Sequence, residues 1–205
     1  MAFDPSIWYS QIPGKPDAVQ GTAAFQPSEG SINEISARRF DGLDDEMTFT
    51  AQNLSAMTMM VVFSRDFSDD YVLLGDGATN KLEIDSGEST ITLTINGTDY
   101  VFSFVVISSD IAQLVTITRT SGGTTRCYLD GVESSTGAIV NTDTFTISKI
   151  GTNTDENLLG AIGEIKVWAK HLPDAVRIQK ELDLIAKWEV SSPAPGAPTV
   201  PIRDL

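Results

Sequence analysis

Carboxylates are the first side chains in this chain that could do chemistry. Glu83-Ile84-Asp85-Ser86-Gly87-Glu88 brings three of them into one short stretch. In an extended strand alternate residues share a face, so Glu83 and Asp85 point one way while Leu82 and Ile84 point to the core. Two carboxylates held about 5 Å apart can cleave a glycosidic bond with retention, one as nucleophile and one as acid. Ser86-Gly87 reads as a turn, which takes Glu88 out of the strand line. No tryptophan lies in this neighbourhood to stack a sugar. The stretch is therefore read as a strand end with a solvated acidic face, and the chain as a non-enzyme.

A second acidic set suits a hard cation. Asp66, Asp69, Asp70 and Asp76 flank one expected strand pair, and Asn153 and Asp155 fall in a later loop. Calcium takes about six to eight oxygens, which loop carboxylates and carbonyls supply. Asp69, Asp70 and Asp76 are the candidate calcium ligands; no other cofactor is expected. Sugars stack on exposed aromatic rings, and Tyr71, Tyr100, Tyr128, Trp8 and Trp168 are available. Trp168 fits a buried strand face better. Tyr71, Asp76 and Tyr100 are the candidate glycan-binding residues.

Other chemistries are excluded by count. One histidine, His171, and one cysteine, Cys127, rule out a His-pair or multi-Cys metal site and an internal disulfide. Cys127 sits in an alternating apolar run and reads as a buried thiol. Gly122-Gly123 joins two strands and precedes no helix, so it is no phosphate loop.

The elements that must position these residues are mostly strands. Ser36 to Phe40 and Met47 to Phe49 read as short strands around Asp41-Gly42-Leu43-Asp44-Asp45. Thr58 to Ser64 is a near-continuous apolar run, suited to a central strand covered on both faces. Tyr71 to Leu74, Lys81 to Asp85, Ile91 to Ile95, Tyr100 to Ile107, Leu114 to Arg119, Thr125 to Leu129 and Phe145 to Ile150 follow. Asn96-Gly97 is the strongest hairpin signal, and Asp130-Gly131 is a second turn tolerant of positive φ. Gly160 to Trp168 alternates apolar and polar residues. After Pro173 the period changes: Ala175, Ile178, Leu182, Ile185 and Trp188 recur at helical steps and predict a helix buried on that face.

With 14 basic against 28 acidic residues the net charge is -14, which disfavours nucleic acid and anionic membrane as partners. No apolar run approaches the roughly 20 residues that span a bilayer. The start, Met1 to Lys15, lacks the pattern of a secretory signal, so folding in a cytoplasm without Sec export is expected. Residues 1–35 are punctuated by prolines and glycines yet carry Phe3, Trp8 and Tyr9, which suits an arm packed on its own domain or a neighbour. Residues 191–205, with Pro195, Pro198 and Pro201, favour an extended polyproline-like path.

Three stretches together resemble the concanavalin A-like lectin/glucanase superfamily, in its laminin-G-like branch. They are Arg39-Phe40-Asp41-Gly42-Leu43-Asp44-Asp45, the pair Leu114 to Arg119 and Cys127-Tyr128-Leu129-Asp130-Gly131-Val132, and Gly160 to Trp188. The resemblance covers about residues 36–188 and implies two curved antiparallel sheets, often used for glycan binding or adhesion. Some of its glucanases use Glu-x-Asp-x-x-Glu, from which Ser86 departs; its laminin-G-like members often hold calcium at the sandwich rim. The expectation is an all-β, antiparallel jelly-roll sandwich over residues 36–190, with one C-terminal helix, an N-terminal arm (1–35) and a Pro-rich tail (191–205). The expected function is a non-catalytic structural, decoration or fibre protein of a viral particle, that of a tailed bacteriophage. Its partners would be other virion proteins or copies of itself through the arms, and cell-surface glycans. The alternatives are a free lectin module and a glucanase-like hydrolase.

Overall fold

In the computed structural model, which describes residues 6–8, 17–66, 71–77, 79–85, 89–152 and 156–190, the strands turn where the sequence places its turn residues. They are β1 (Ile7–Trp8), β2 (Ala18–Val19), β3 (Ser28–Ile32), β4 (Ile35–Asp41), β5 (Met47–Leu54), β6 (Met57–Arg65), β7 (Tyr71–Gly75) and β8 (Lys81–Ile84). Then come β9 (Thr90–Ile95), β10 (Thr98–Ser103), β11 (Gln113–Arg119), β12 (Thr124–Leu129), β13 (Val132–Glu133), β14 (Ile139–Val140), β15 (Phe145–Ile150) and β16 (Leu159–Trp168), followed by the helix α1 (Asp174–Trp188). Asn96 and Gly97 carry φ of 50° and 77° between β9 and β10, the mirror-image turn that matches strand twist.

The strands form an antiparallel β-sandwich of the jelly-roll type. The front sheet runs β1-β2-β5-β15-β7-β8-β9-β10, and the back sheet β13-β12-β11-β6-β16-β4-β3, with β14 on β12. β6 is buried on both faces, as its apolar run predicts. Met57, Met59, Val61 and Phe63 point between the sheets, where they meet Leu82, Ile84, Ile91 and Leu93. Met60 and Val62 point the other way, to Leu184 and Trp188 of α1. The sandwich thus has a main core between its sheets and a second one under the helix.

Three expectations change. The helix buries Arg177, Glu181, Leu184 and Trp188, whereas Leu182 is 49% exposed and Ala175 also faces water. The face is rotated because Arg177 and Glu181 pair with each other at 2.6 Å, and the guanidinium lies 3.9 Å from the Tyr128 ring centroid. A paired charge stacked on an aromatic ring can be buried where an apolar side chain was expected. Secondly, the chain before Ser36 is not irregular throughout: β3 pairs with β4 along its whole length. Asn33 and Glu34 make that turn at φ of 48° and 65° with no glycine. Thirdly, β10 ends at Ser103 and does not continue to Ile107; the Phe104 N–H donates to Ser89 O, and Val105 is left 96% exposed.

Candidate functional site

The outer face of the front sheet carries an ordered set of polar side chains, placed there by strand register. Val72, Glu83, Thr92 and Val101 lie opposite one another across β7, β8, β9 and β10. Along the strands the next outward row is Lys149, Gly75, Lys81, Thr94 and Asp99. On the other side of Glu83, Thr90 faces Ser103, and the Asp85 N–H donates to Thr90 O. Threonine at every second position of β9 makes a hydroxyl stripe down the middle.

Hydrogen bonds fix this array. The hydroxyls of Thr90 and Thr92 donate to Asp85 Oδ2 at 2.6 and 3.0 Å, and the Thr94 hydroxyl donates to Asp99 Oδ1 at 2.6 Å. Lys81 Nζ sits 2.6 Å from Glu83 and 2.8 Å from Glu156, which reaches in from the loop before β16. Lys149 pairs with Glu46 at 2.9 Å. Glu83, Thr92 and Thr94 are only 5–6% exposed, so the array is recessed. Burial lifts the Glu83 carboxyl to about 7, against the pull of Lys81. Burial also draws the Lys81 ammonium down, but its hydrogen bonds to Glu156 and Glu83 more than reverse this and hold it protonated beyond the usual lysine range. One ammonium shared by two glutamates keeps its own charge and does not fully offset their desolvation.

A separate cluster stands at the sandwich rim. Carboxylate oxygens of Asp41, Asp44 and Asp45 lie within 4.8 Å of one another. Asp41 Oδ1 accepts the Leu43 N–H at 2.9 Å, and Asp45 Oδ2 accepts the Asp41 N–H at 2.9 Å. Burial, then the Asp41 charge, raises the Asp45 carboxyl to about 6, with the Asp41 N–H opposing. Three oxygen donors on one loop fit a hard cation such as calcium, which would relieve that repulsion. The spacing Asp-x-x-Asp-Asp over residues 41–45 is the sequence signal for this cluster.

The residues singled out from sequence fare differently. Tyr71 is 3% exposed inside the main core, so it offers no platform for a sugar. Its place in register, opposite Ile84, puts it on the inner face. Tyr100 is half-buried against the same core, and its hydroxyl accepts from Asn141 Nδ2 at 2.6 Å. Asp76 accepts from the N–H groups of Thr79 and Asn80 at 2.8 and 2.9 Å and so caps its own turn. Asp66 pairs with Arg39. Trp8 packs on the chain's own main core, and it lines with Ser36, Ala37, Arg38 and Gly163 a shallow cavity of about 180 Å³. Asp69, Asp70, Asn153, Asp155, Ser86, Gly87, Glu88, Phe3, Tyr9, Pro195, Pro198 and Pro201 lie outside the described residues. Glu83 and Asp85 do share the outer face, as their spacing requires. The threonine stripe beside them was missed, although Thr90-Ile91-Thr92-Leu93-Thr94 shows it plainly.

No family model and no curated protein matches the sequence. Solved structures share the fold. A heptameric SAP-like pentraxin from Limulus polyphemus is similar with a TM-score of 0.53 and 13% identity, over 72% of this chain and 76% of that one. The receptor-binding domain of botulinum neurotoxin type G gives 0.53 and 10% identity, over 80% of this chain and 48% of that one. A Trypanosoma rangeli sialidase in complex with 2,3-difluorosialic acid gives 0.57 and 10% identity, over 84% of this chain and 30% of that one. The chain thus spans under half the length of the last two. At these identities the likeness establishes the β-sandwich jelly roll and leaves activity to the site.

Proposed function

We propose that this domain is a non-catalytic glycan-binding module whose contact surface is the outer face of the front sheet around Lys81. One observation carries the reading: a recessed lattice of hydroxyl, carboxylate and ammonium groups, locked by its own hydrogen bonds on a rigid sheet. Pre-ordered donors and acceptors of this kind match sugar hydroxyls at little entropic cost. The fold is shared with a toxin's receptor-binding domain and a pentraxin, which supports a binding role by analogy. Glu83 has the elevated carboxyl of a general acid, but the Lys81 ammonium at 2.6 Å holds it. That arrangement serves to position Lys81 better than to protonate a leaving group.

The wider setting we propose is the surface of a viral particle, supported by the composition of segment 191–205, whose prolines favour the extended conformation that suits lying along a neighbouring subunit. Screening the purified protein on a glycan array tests the binding reading. Retention on at least one glycan class, lost in Lys81→Ala and Thr92→Val with far-UV circular dichroism unchanged, is the expected result. A blank array sinks it, and release of reducing ends from any bound polysaccharide would replace binding with hydrolysis. For the particle setting, the chain shortened by residues 191–205 should fail to co-purify with particles.

A further inference from the structure

The charged residues of the two sheets are segregated. Every described arginine belongs to the back sheet or the helix: Arg38 and Arg39 on β4, Arg65 on β6, Arg119 on β11, Arg126 on β12 and Arg177 on α1. Among the described residues the front face has only lysines as cations, and both are engaged, Lys81 by Glu83 and Glu156 and Lys149 by Glu46. Asp85 and Asp99 add two carboxylates whose neighbours are threonine hydroxyls, not cations. Among the described residues of this face carboxylates outnumber ammonium groups by more than two to one. Carboxylate, sulfate and phosphate groups are bound by guanidinium forks or by uncommitted ammonium groups. Neither is present among the described residues of the face. Neutral sugar hydroxyls, by contrast, donate well to carboxylates such as Asp85 and Asp99, each of which spends one oxygen on the threonine stripe.

Resting on the glycan-binding reading above, we propose that the front face selects uncharged glycans and rejects those bearing carboxylate or sulfate groups, sialic and uronic acids included. This sets the domain apart from the fold-related sialidase, whose structure holds a sialic acid analogue. The acidic sugar would bring its charge beside Asp99 or Glu156. One like charge at about 6 Å, at an intermediate effective dielectric, costs on the order of tenfold in affinity.

The test is an array of matched pairs, each a neutral glycan and its acidic counterpart: lactose and sialyllactose, galactan and galacturonan, a neutral and a sulfated galactan. The full chain is assayed by retention and by titration calorimetry at low and high salt. The expected result is binding to the neutral member at least about tenfold tighter than to its partner, with the gap narrowing at high salt. Asp99→Asn and Glu156→Gln should narrow it too, by raising affinity for the acidic member, with circular dichroism confirming the fold. Equal or tighter binding of acidic members overturns the selectivity and leaves glycan binding standing. Binding to neither member of any pair overturns both readings.

Discussion

Gly163→Ala should destabilise the domain through one side chain. Gly163 sits at the bulge where β16 shifts register against β6, between Ile162 and Glu164. A Cβ there would lie 2.7 Å from two ring atoms of Trp188 and 2.9 Å from a third. Those separations are well inside van der Waals contact, so the ring must move. It has little freedom: Trp188 is 2% exposed, and its indole N–H donates to Glu164 Oε2 at 3.0 Å. Overpacking of this kind costs about 1–3 kcal/mol. For a domain of this size that is about 2–4 °C of melting temperature per kcal/mol. Trp188→Ala removes the ring and should itself cost about 3–5 kcal/mol. In that background Gly163→Ala has nothing to strike, because its φ is not in the left-handed region. It should then be neutral or stabilise by up to about 1 kcal/mol through the unfolded chain. Urea unfolding followed by far-UV circular dichroism across the double-mutant cycle reads the difference, with a coupling of at least about 1 kcal/mol expected. An equal cost in both backgrounds would place the strain in the bulge backbone and refute the steric account.

Further outcomes follow from buried charge. Calcium added to chelator-treated protein should stabilise the fold by about 2.7 kcal/mol at a hundredfold excess over its dissociation constant, and so raise the melting temperature; Asp45→Asn should lose that increment, and an unchanged increment would move the cation elsewhere. The Glu83 carboxyl titrates near 7 in the folded state against an ordinary 4.5, so the native chain holds this proton longer. Its contribution to stability is full below 4.5 and is lost as pH rises towards 7, so Glu83→Gln should gain on wild type across that window in urea midpoints; a loss instead would mean that the ion pair outweighs burial. Arg119 is wholly buried and donates to Ser55 O at 3.3 Å, Thr125 Oγ1 at 3.1 Å, Asn141 O at 2.5 Å and also to Asp143 O. Arg119→Met should cost upwards of about 3 kcal/mol by orphaning carbonyls, and Arg119→Lys should recover less than half, since an ammonium lacks the planar fork; a cost under about 1 kcal/mol would show that water replaces the guanidinium.

Strands with a period were legible in the sequence, and so was the helix as an element. β6, the Asn96-Gly97 hairpin and the bounds of α1 follow from residue type and spacing. β3 did not, because Ser28-Glu29-Gly30-Ser31-Ile32 has one buried apolar residue and lies at a sheet edge, where packing imposes no alternation. The buried face of α1 did not, because periodicity counts Arg177 and Glu181 as polar and cannot see that they neutralise each other. Glu83 and Asp85 were legible as a shared face; that Lys81 holds the first of them and is itself shared with the distant Glu156 was not, since the second contact joins residues 75 apart. Tyr71 misled for the opposite reason: tyrosine is amphipathic, and only register shows which way it turns.

The segregation of arginines has a structural cause that strengthens the reading of the front face. Arg65 and Arg119 are wholly buried and donate to backbone carbonyls of the segments 107–108 and 141–143. Those segments lie outside regular strands and have no ladder partners, so a buried fork supplies the donors they lack. Arg177 neutralises Glu181 under the helix. Arg39 and Arg126, the exposed ones, are matched to Asp66 and Glu133. An arginine meant for an anionic ligand would be exposed with donors unspent; these are committed inside the fold. The excess acid of a chain with net charge -14 therefore has little guanidinium left to screen it. With α1 lying on the back sheet, a ligand of the front face meets carboxylates, hydroxyls and two occupied lysines. An anion approaching that face works against the charge of the whole molecule as well as of the site, which is why its exclusion should weaken with salt while neutral binding should not.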